Sequence, residues 1–462
     1  MASYDPRDFR ALTFHDATAG FRDGGDTPRA FLERCLETIA AREPTVRAWV
    51  VTNVEGARAA ADASTARWKT GQPLSPIDGM PVGIKDLLET RDMPTQMGCV
   101  AYRGNFPKRD NAAVWALREA GAVVLGKTVT TELGGAHPGP TTNPFDQTRT
   151  PGGSSSGSAA AVGARMVPAA LGTQVGGSVI RPAAYCGNIA LKPSQGGINR
   201  GERQATSMST TGVHAGSIED MWLVAKAITT RAGGDPGRPG LVGPDAPPLA
   251  QRPMVVGVME TEGWPRLDAA SKAAFAQVVE RLRAQGVTVL RRDHPALAAF
   301  EDALVGAQAM ANGITGWENH WLFRNLVALN ADGISARSQS VLAAAEKRTP
   351  EDYRLFLIQR EALRARHAAL TGVVDALIAP ACPGPAPVWA GDVPGQPLAA
   401  RPTGEAVFNV PSSVIGAPAV TVPLASVGGM PFGIQVMTQL QTDAQATAIA
   451  RWMLETIEPV IG

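Results

Sequence analysis

The chain has 462 residues, 44% of them hydrophobic and 18% charged, a balance that supports a large buried core. Its 43 basic and 42 acidic residues leave a net charge of +1, which gives no electrostatic footprint for a nucleic acid or an acidic membrane. Length alone exceeds the usual single domain and by itself predicts two or three.

In chain order, the first 70 residues read as helices. Thr27 is placed to cap one, with Pro28 at its first position, and Phe31, Leu32, Cys35, Leu36 and Ile39 recur at helical spacing. From about residue 77 the pattern turns α/β: a short helix over 111–120, Gly121 just past its end, and the apolar run Ala122–Leu125 suited to a buried strand. The logic repeats with a strand at Met254–Met259, a helix face of Phe275, Val278, Val279 and Leu282, and a strand at Val287–Leu290. Residues 300–370 are mainly helical and carry Trp317, Trp321 and Phe323, whose helical spacing favours a core role over a substrate channel. The stretch 380–397 holds six prolines and reads as an irregular loop. Strands at Ala419–Leu424 and Phe432–Met437 flank a Gly-Gly turn, and a last helix begins near Asp443. Strands interleaved with helices predict an α/β sheet covered on both faces.

The N-terminus lacks the apolar segment of a secretion signal, and no run of 18 apolar residues occurs, so we expect a cytoplasmic chain with no membrane contact. Cys35, Cys99, Cys186 and Cys382 are far apart and read as buried free thiols of a reducing compartment. The six histidines form no metal-ligand pattern, and neither a metal nor a cofactor is expected.

Two motif matches fail on context. Gly121–Thr128 fits the phosphate-loop expression, but its four intervening residues are Ala-Val-Val-Leu, which want a strand, and a helix precedes them. Gly153–Gly157 fits a nucleophile elbow centred on Ser155, yet the preceding Asn143–Pro151 is polar, carries two prolines and cannot be a central strand.

Two Gly/Ser turns remain, Pro151–Ser158 (PGGSSSGS) and Gly172–Ser178 (GTQVGGS), with Lys85 upstream in Gly79–Asp86 (GMPVGIKD). Gly/Ser runs are usually flexible linkers. Here the apolar segments 159–162 and 168–171 flank them, and Lys85 follows the apolar run Pro81–Ile84. Taken alone, Lys85 reads as a surface residue or half of an ion pair. The chain as a whole resembles the amidase signature family of C–N bond hydrolases. The resemblance runs through those three segments and Ala120–Thr128, Asn143-Pro144, Gly187–Pro193, Asp375–Pro380 and Gly416–Pro423.

That resemblance implies one large domain over 1–462, with a mixed, twisted central sheet covered by helices on both faces. Within it lie a helical N-terminal region (1–75), a catalytic core (76–230) and a helical insert and loop (300–410) shaping the substrate pocket. It implies Ser178 as acyl-forming nucleophile, Ser154 as proton relay behind a cis peptide, and Lys85 as base. A serine hydroxyl needs such a base, and lysine serves only when burial keeps it neutral. Val175, Gly176, Gly177 and Ser178 would supply an oxyanion hole, consecutive glycines letting N–H groups converge. Ser155 would stand behind Lys85 or be a plain turn serine, and Gly134 and Ser154 would contact substrate.

The sequence departs from the family pattern beside the nucleophile. Where many members carry an acid four residues before it and an arginine two after, this chain has Gln174 and Ile180, with an arginine one place later at Arg181. Joint loss of both members of an ion pair points to a neutral replacement, and leaves the role of Arg181 open. The pocket is expected from Gly134–Pro138, Gln204–Thr211, Trp317–Phe323 and 380–410. The expected substrate is a small-molecule amide, with carbamates (urethanes) and esters open to the same acylation. Two alternatives are the glutaminase subunit of a tRNA-dependent amidotransferase, from which 194–206 departs, and a catalytically silent scaffold. A homodimer is compatible with the sequence.

Overall fold

The computed structural model describes residues 4–202 and 206–462. Among them, Thr27 caps the helix Pro28–Val46 by accepting from the Ala30 amide at 3.1 Å, and Pro28 sits at its first turn where no donor is lost. Phe31, Leu32 and Cys35 are its buried face. The helix is followed by a strand that the sequence pattern does not reveal, β1 (Trp49–Thr52). Four residues between two helices are too few to show a period of two, and its sheet partner lies far downstream.

The remaining strands are β2 (Pro81–Lys85), β3 (Val123–Thr128), β4 (Ala169–Gln174), β5 (Ile189–Lys192), β6 (Thr210–Ala215), β7 (Val255–Val258), β8 (Thr288–Leu290), β9 (Ala376–Pro380), β10 (Ala419–Val427), β11 (Met430–Met437) and β12 (Val460–Ile461). They form one mixed sheet in the order β1-β3-β2-β4-β6-β5-β10-β11-β9-β7-β8, with β12 beside β10. The continuous sheet replaces the two or three domains that length alone suggests. β2 lies parallel to both β3 and β4, while β4, β6, β5, β10, β11 and β9 alternate in direction. Its central strands are buried along their whole length, as helices on both faces require.

The segment Gly121–Thr128 is helix-then-strand: Ala112–Glu119 precedes β3, and Lys127 is a buried strand residue. β10 and β11 are joined by Gly428 and Gly429, both at positive φ (57° and 72°), the pair a tight hairpin demands. The helices Ala307–Asn330, Ala336–Ala345 and Pro350–Ala368 make up the expected helical stretch. Its aromatic residues are not core. Trp321 is 61% exposed and Trp317 is half-buried, stacked on Tyr353 at 5.9 Å. No regular element falls between Pro380 and Val410. Thr210 and Thr211, expected in a pocket loop, begin β6, and Gln204 lies outside the described residues. Among the described residues, no helix is long and apolar enough to cross a membrane.

Candidate active site

Lys85 ends β2, the third strand from one edge of the sheet, between its parallel neighbours β3 and β4. The side chain is fully buried. Its Nζ lies within hydrogen-bond distance of Ser154 Oγ (2.7 Å), Ser155 Oγ (2.9 Å), Thr173 Oγ1 (2.9 Å) and the Thr173 carbonyl (3.2 Å). Every partner is neutral. With no carboxylate at hand, burial holds the Lys85 amine well below the usual lysine range.

Ser154 follows a cis peptide bond from Gly153 and is buried. The helix Ser156–Gly163 begins two residues later, so the turn is anchored by a wholly buried element. Gly134 lies against it: a Cβ there would come 3.8 Å from Ser154 Oγ. Behind Lys85, Ser155 Oγ also accepts from the Thr173 amide at 3.2 Å. A Cβ on Gly172 would approach both Ser155 Oγ and His214 Nε2 to 2.8 Å, so only glycine fits beneath the lysine.

The second turn carries Ser178 between the end of β4 and the helix Ile180–Tyr185. Ser178 is half-buried, and its hydroxyl has no hydrogen-bond partner among the described residues. Its carbonyl accepts from the Ser155 amide at 3.3 Å, which ties the two serine turns together. The amides of Gly176, Gly177 and Ser178 make no hydrogen bond among the described residues. The Gly176 carbonyl accepts from Ser413 Oγ at 2.7 Å, and a Gly177 Cβ would meet Asn409 Oδ1 at 2.5 Å.

Gln174 is a neutral bracket for this turn. Its Oε1 accepts from the amides of Val179 (2.8 Å) and Ile180 (3.0 Å), and its Nε2 donates to Ser413 Oγ (3.0 Å). An acid would serve the two amides equally well; the amide side chain also supplies the bond to Ser413. Arg181 is placed elsewhere, with Nη2 donating to the Gly153 carbonyl (2.6 Å) and to Thr403 Oγ1 (3.3 Å).

A protein-family model described as Amidase matches residues 30–446, nearly the whole chain. The chain belongs to the amidase signature family. It is an enzyme of the amide-hydrolysing class. Curated relatives of this amidase include a glutamyl-tRNA(Gln) amidotransferase subunit from Chloroflexus aggregans, 32% identical, with 92% of each chain covered. The same subunit from Salinispora arenicola is 30% identical over 92% of this chain and 93% of the relative. Among solved structures, an amidase superposes with a TM-score of 0.83 at 30% identity, covering 96% of this chain and 99% of the other. The native peptide amidase of Stenotrophomonas maltophilia gives 0.79 at 26% identity, with 97% of each chain covered.

The amidase brings Lys85, Ser154, Ser155 and Gly134 into one cluster, and places Gln174, Val175, Gly176, Gly177 and Ser178 on the turn beside it. Thr173, Thr403, Asn409 and Ser413 also touch these turns, and the sequence motifs do not single them out. Thr173 was the readable one, since it lies inside the second Gly/Ser turn. Thr403, Asn409 and Ser413 come from far along the chain and carry no motif.

Proposed function

We propose that this amidase hydrolyses small-molecule amides through an acyl-enzyme on Ser178, with Ser154 as relay and Lys85 as base. The buried, uncompensated Lys85 hydrogen-bonded to Ser154 carries this reading, because a lysine can accept a proton near neutrality only in such surroundings. As Ser178 Oγ attacks the carbonyl carbon, its proton passes to Ser154 Oγ and the Ser154 proton passes to Lys85 Nζ. The carbonyl oxygen becomes an oxyanion facing the unengaged amides of Gly176, Gly177 and Ser178, with Val175 opening the turn. Collapse breaks the C–N bond, and the proton returns from Lys85 through Ser154 to the leaving nitrogen. Water then repeats the sequence on the acyl group. Carbamates and esters present the same carbonyl and belong to the substrate range. Gly134, beside Ser154, borders the space where substrate sits.

The experiment is a hydrolysis screen over aliphatic amides, anilides, carbamates, esters and glutamine, with Ser178→Ala as control. Hydrolysis of at least one substrate, lost by about 10⁴-fold or more in Ser178→Ala, is the expected result; full activity in that variant sinks the mechanism. The likeness to an amidotransferase component favours a second reading, a glutaminase that works within a complex. Ammonia release from glutamine only when partner proteins are added would select it.

A further inference from the structure

Arg181 is a buried cation without an ion-pair partner among the described residues, three residues after the proposed nucleophile. It is 7% exposed, and its Nε is buried with no hydrogen bond. Such a charge confers no stability by itself, since desolvation is costly unless an acid offsets it. What its hydrogen bonds reach is specific. The main-chain N–H of Arg181 donates to the carbonyl of Gly177 at 2.9 Å, and its guanidinium donates to the carbonyl of Gly153 at 2.6 Å. Gly177 immediately precedes Ser178, and Gly153 immediately precedes Ser154. One residue therefore grips the chain just ahead of both serines.

We propose that Arg181 is a positioning residue that sets the distance between the Ser154 and Ser178 hydroxyls by holding the carbonyls in front of them. This rests on the Ser178–Ser154–Lys85 reading above. The Lys85–Ser154 link is already closed at 2.7 Å, whereas the Ser178 hydroxyl is unengaged, so the serine–serine step is the one whose geometry needs support. The other direct bonds between the turns, Ser155 N–H to the Ser178 carbonyl at 3.3 Å and the Ser155 hydroxyl to the Thr173 main chain at 3.2 Å, are neutral and long. The Arg181 bond is short and charge-assisted, the stronger kind. Thr403 holds the same Nη2 at 3.3 Å and brings the irregular 380–410 stretch into the clamp.

The test is Arg181→Met, with kcat and KM read separately on an amide from the screen, and with the rate of Ser178 labelling by a fluorophosphonate. Proton transfer through the relay requires hydroxyls within hydrogen-bond reach, and a misplacement near 1 Å costs about 100-fold. We expect kcat and the labelling rate to fall together by about that factor, with KM unchanged and the acid limb of the pH profile unmoved. Millimolar guanidinium ion should restore part of kcat to Arg181→Ala. A kcat within about threefold of wild type, or a rise in KM alone, overturns the proposal; the latter makes Arg181 a substrate-binding group. Should the apolar variant not fold, Arg181→Lys is the arm to read: its ammonium keeps the charge but not the planar fork. A wild-type rate there is equally fatal. Ser178→Ala separates the two ideas. If it stays active the catalytic reading fails, and if it is dead while Arg181→Met is fully active only this inference fails.

Discussion

At the scale of single residues, the decisive property is the neutrality of what surrounds Lys85. Four oxygens surround its amine and none offers a negative charge, so burial alone sets its basicity. Because the folded-state pKa lies below the unfolded value, protonation disfavours the native form, and stability rises with pH across that window. On the proposed mechanism, activity follows the same group. We expect kcat/KM to rise with pH along a limb far below the ordinary lysine range, and that limb to vanish in Lys85→Ala together with acylation at neutral pH. A limb that survives the substitution identifies another base. Lys85, Ser154 and Ser178 are singled out by the family resemblance, which runs through the short segments that hold them. Thr403, Asn409 and Ser413 are not, because isolated polar residues have no periodicity and the turns they touch lie more than 200 residues away.

At the scale of elements, two polar contacts hold the strands and the insert around that group. Asp86, just past β2, pairs with Lys127 of β3 at 3.1 Å, both side chains being buried. Burial raises the carboxyl and lowers the amine, and each partner opposes the shift of the other. Asp86 also accepts from the Gln96 amide at 3.1 Å, and Lys127 donates to Thr95 Oγ1 at 2.6 Å. Lys127→Met leaves the Asp86 charge uncompensated and should lower stability by about 3–5 kcal/mol, measured by denaturant unfolding. A loss under about 1 kcal/mol would mean the pair is dispensable. The lysine that fits a phosphate-loop expression thus works as one half of a strand-to-strand ion pair. The second contact is Glu132, two residues before Gly134. It accepts from the Ser335 amide at 3.0 Å and from the hydroxyls of Ser335 and Ser338, at the start of the helix Ala336–Ala345. This ties the helical stretch to the segment that carries Gly134. Only the family resemblance places that stretch at the pocket, and its aromatic residues escape the core role their spacing predicts because amphipathic spacing does not tell a core face from an open one.

At the scale of the whole molecule, pH acts through buried histidine as well. His214 in β6 is fully enclosed, and burial first, then the neighbouring Lys85, pushes its pKa from 6.5 down to about 3. Its Nδ1 faces Asn188 Oδ1 at 3.3 Å, while Asn188 Nδ2 donates to the Ala159 carbonyl at 2.8 Å; this fixes the proton on Nδ1 and leaves Nε2 a bare acceptor. The unfolded chain takes up a proton near pH 6.5 that the folded chain refuses until about pH 3. Stability should therefore fall as the pH drops through that window, and His214→Met should flatten the decline, as read from thermal midpoints at several pH values. An unchanged slope would assign acid sensitivity to other groups. The alternation of helix and strand made the α/β class readable from the sequence. The strand order was not, since β5 meets β10 across more than 200 residues.

That strand order has a consequence for synthesis. β1 to β6 occupy one continuous side of the sheet, and together with the two turns they carry Lys85, Ser154 and Ser178. A ribosome delivers all three of these residues while Thr403, Asn409 and Ser413 are still untranslated. The half-made protein therefore has these three residues before the contacts that brace their two turns can form.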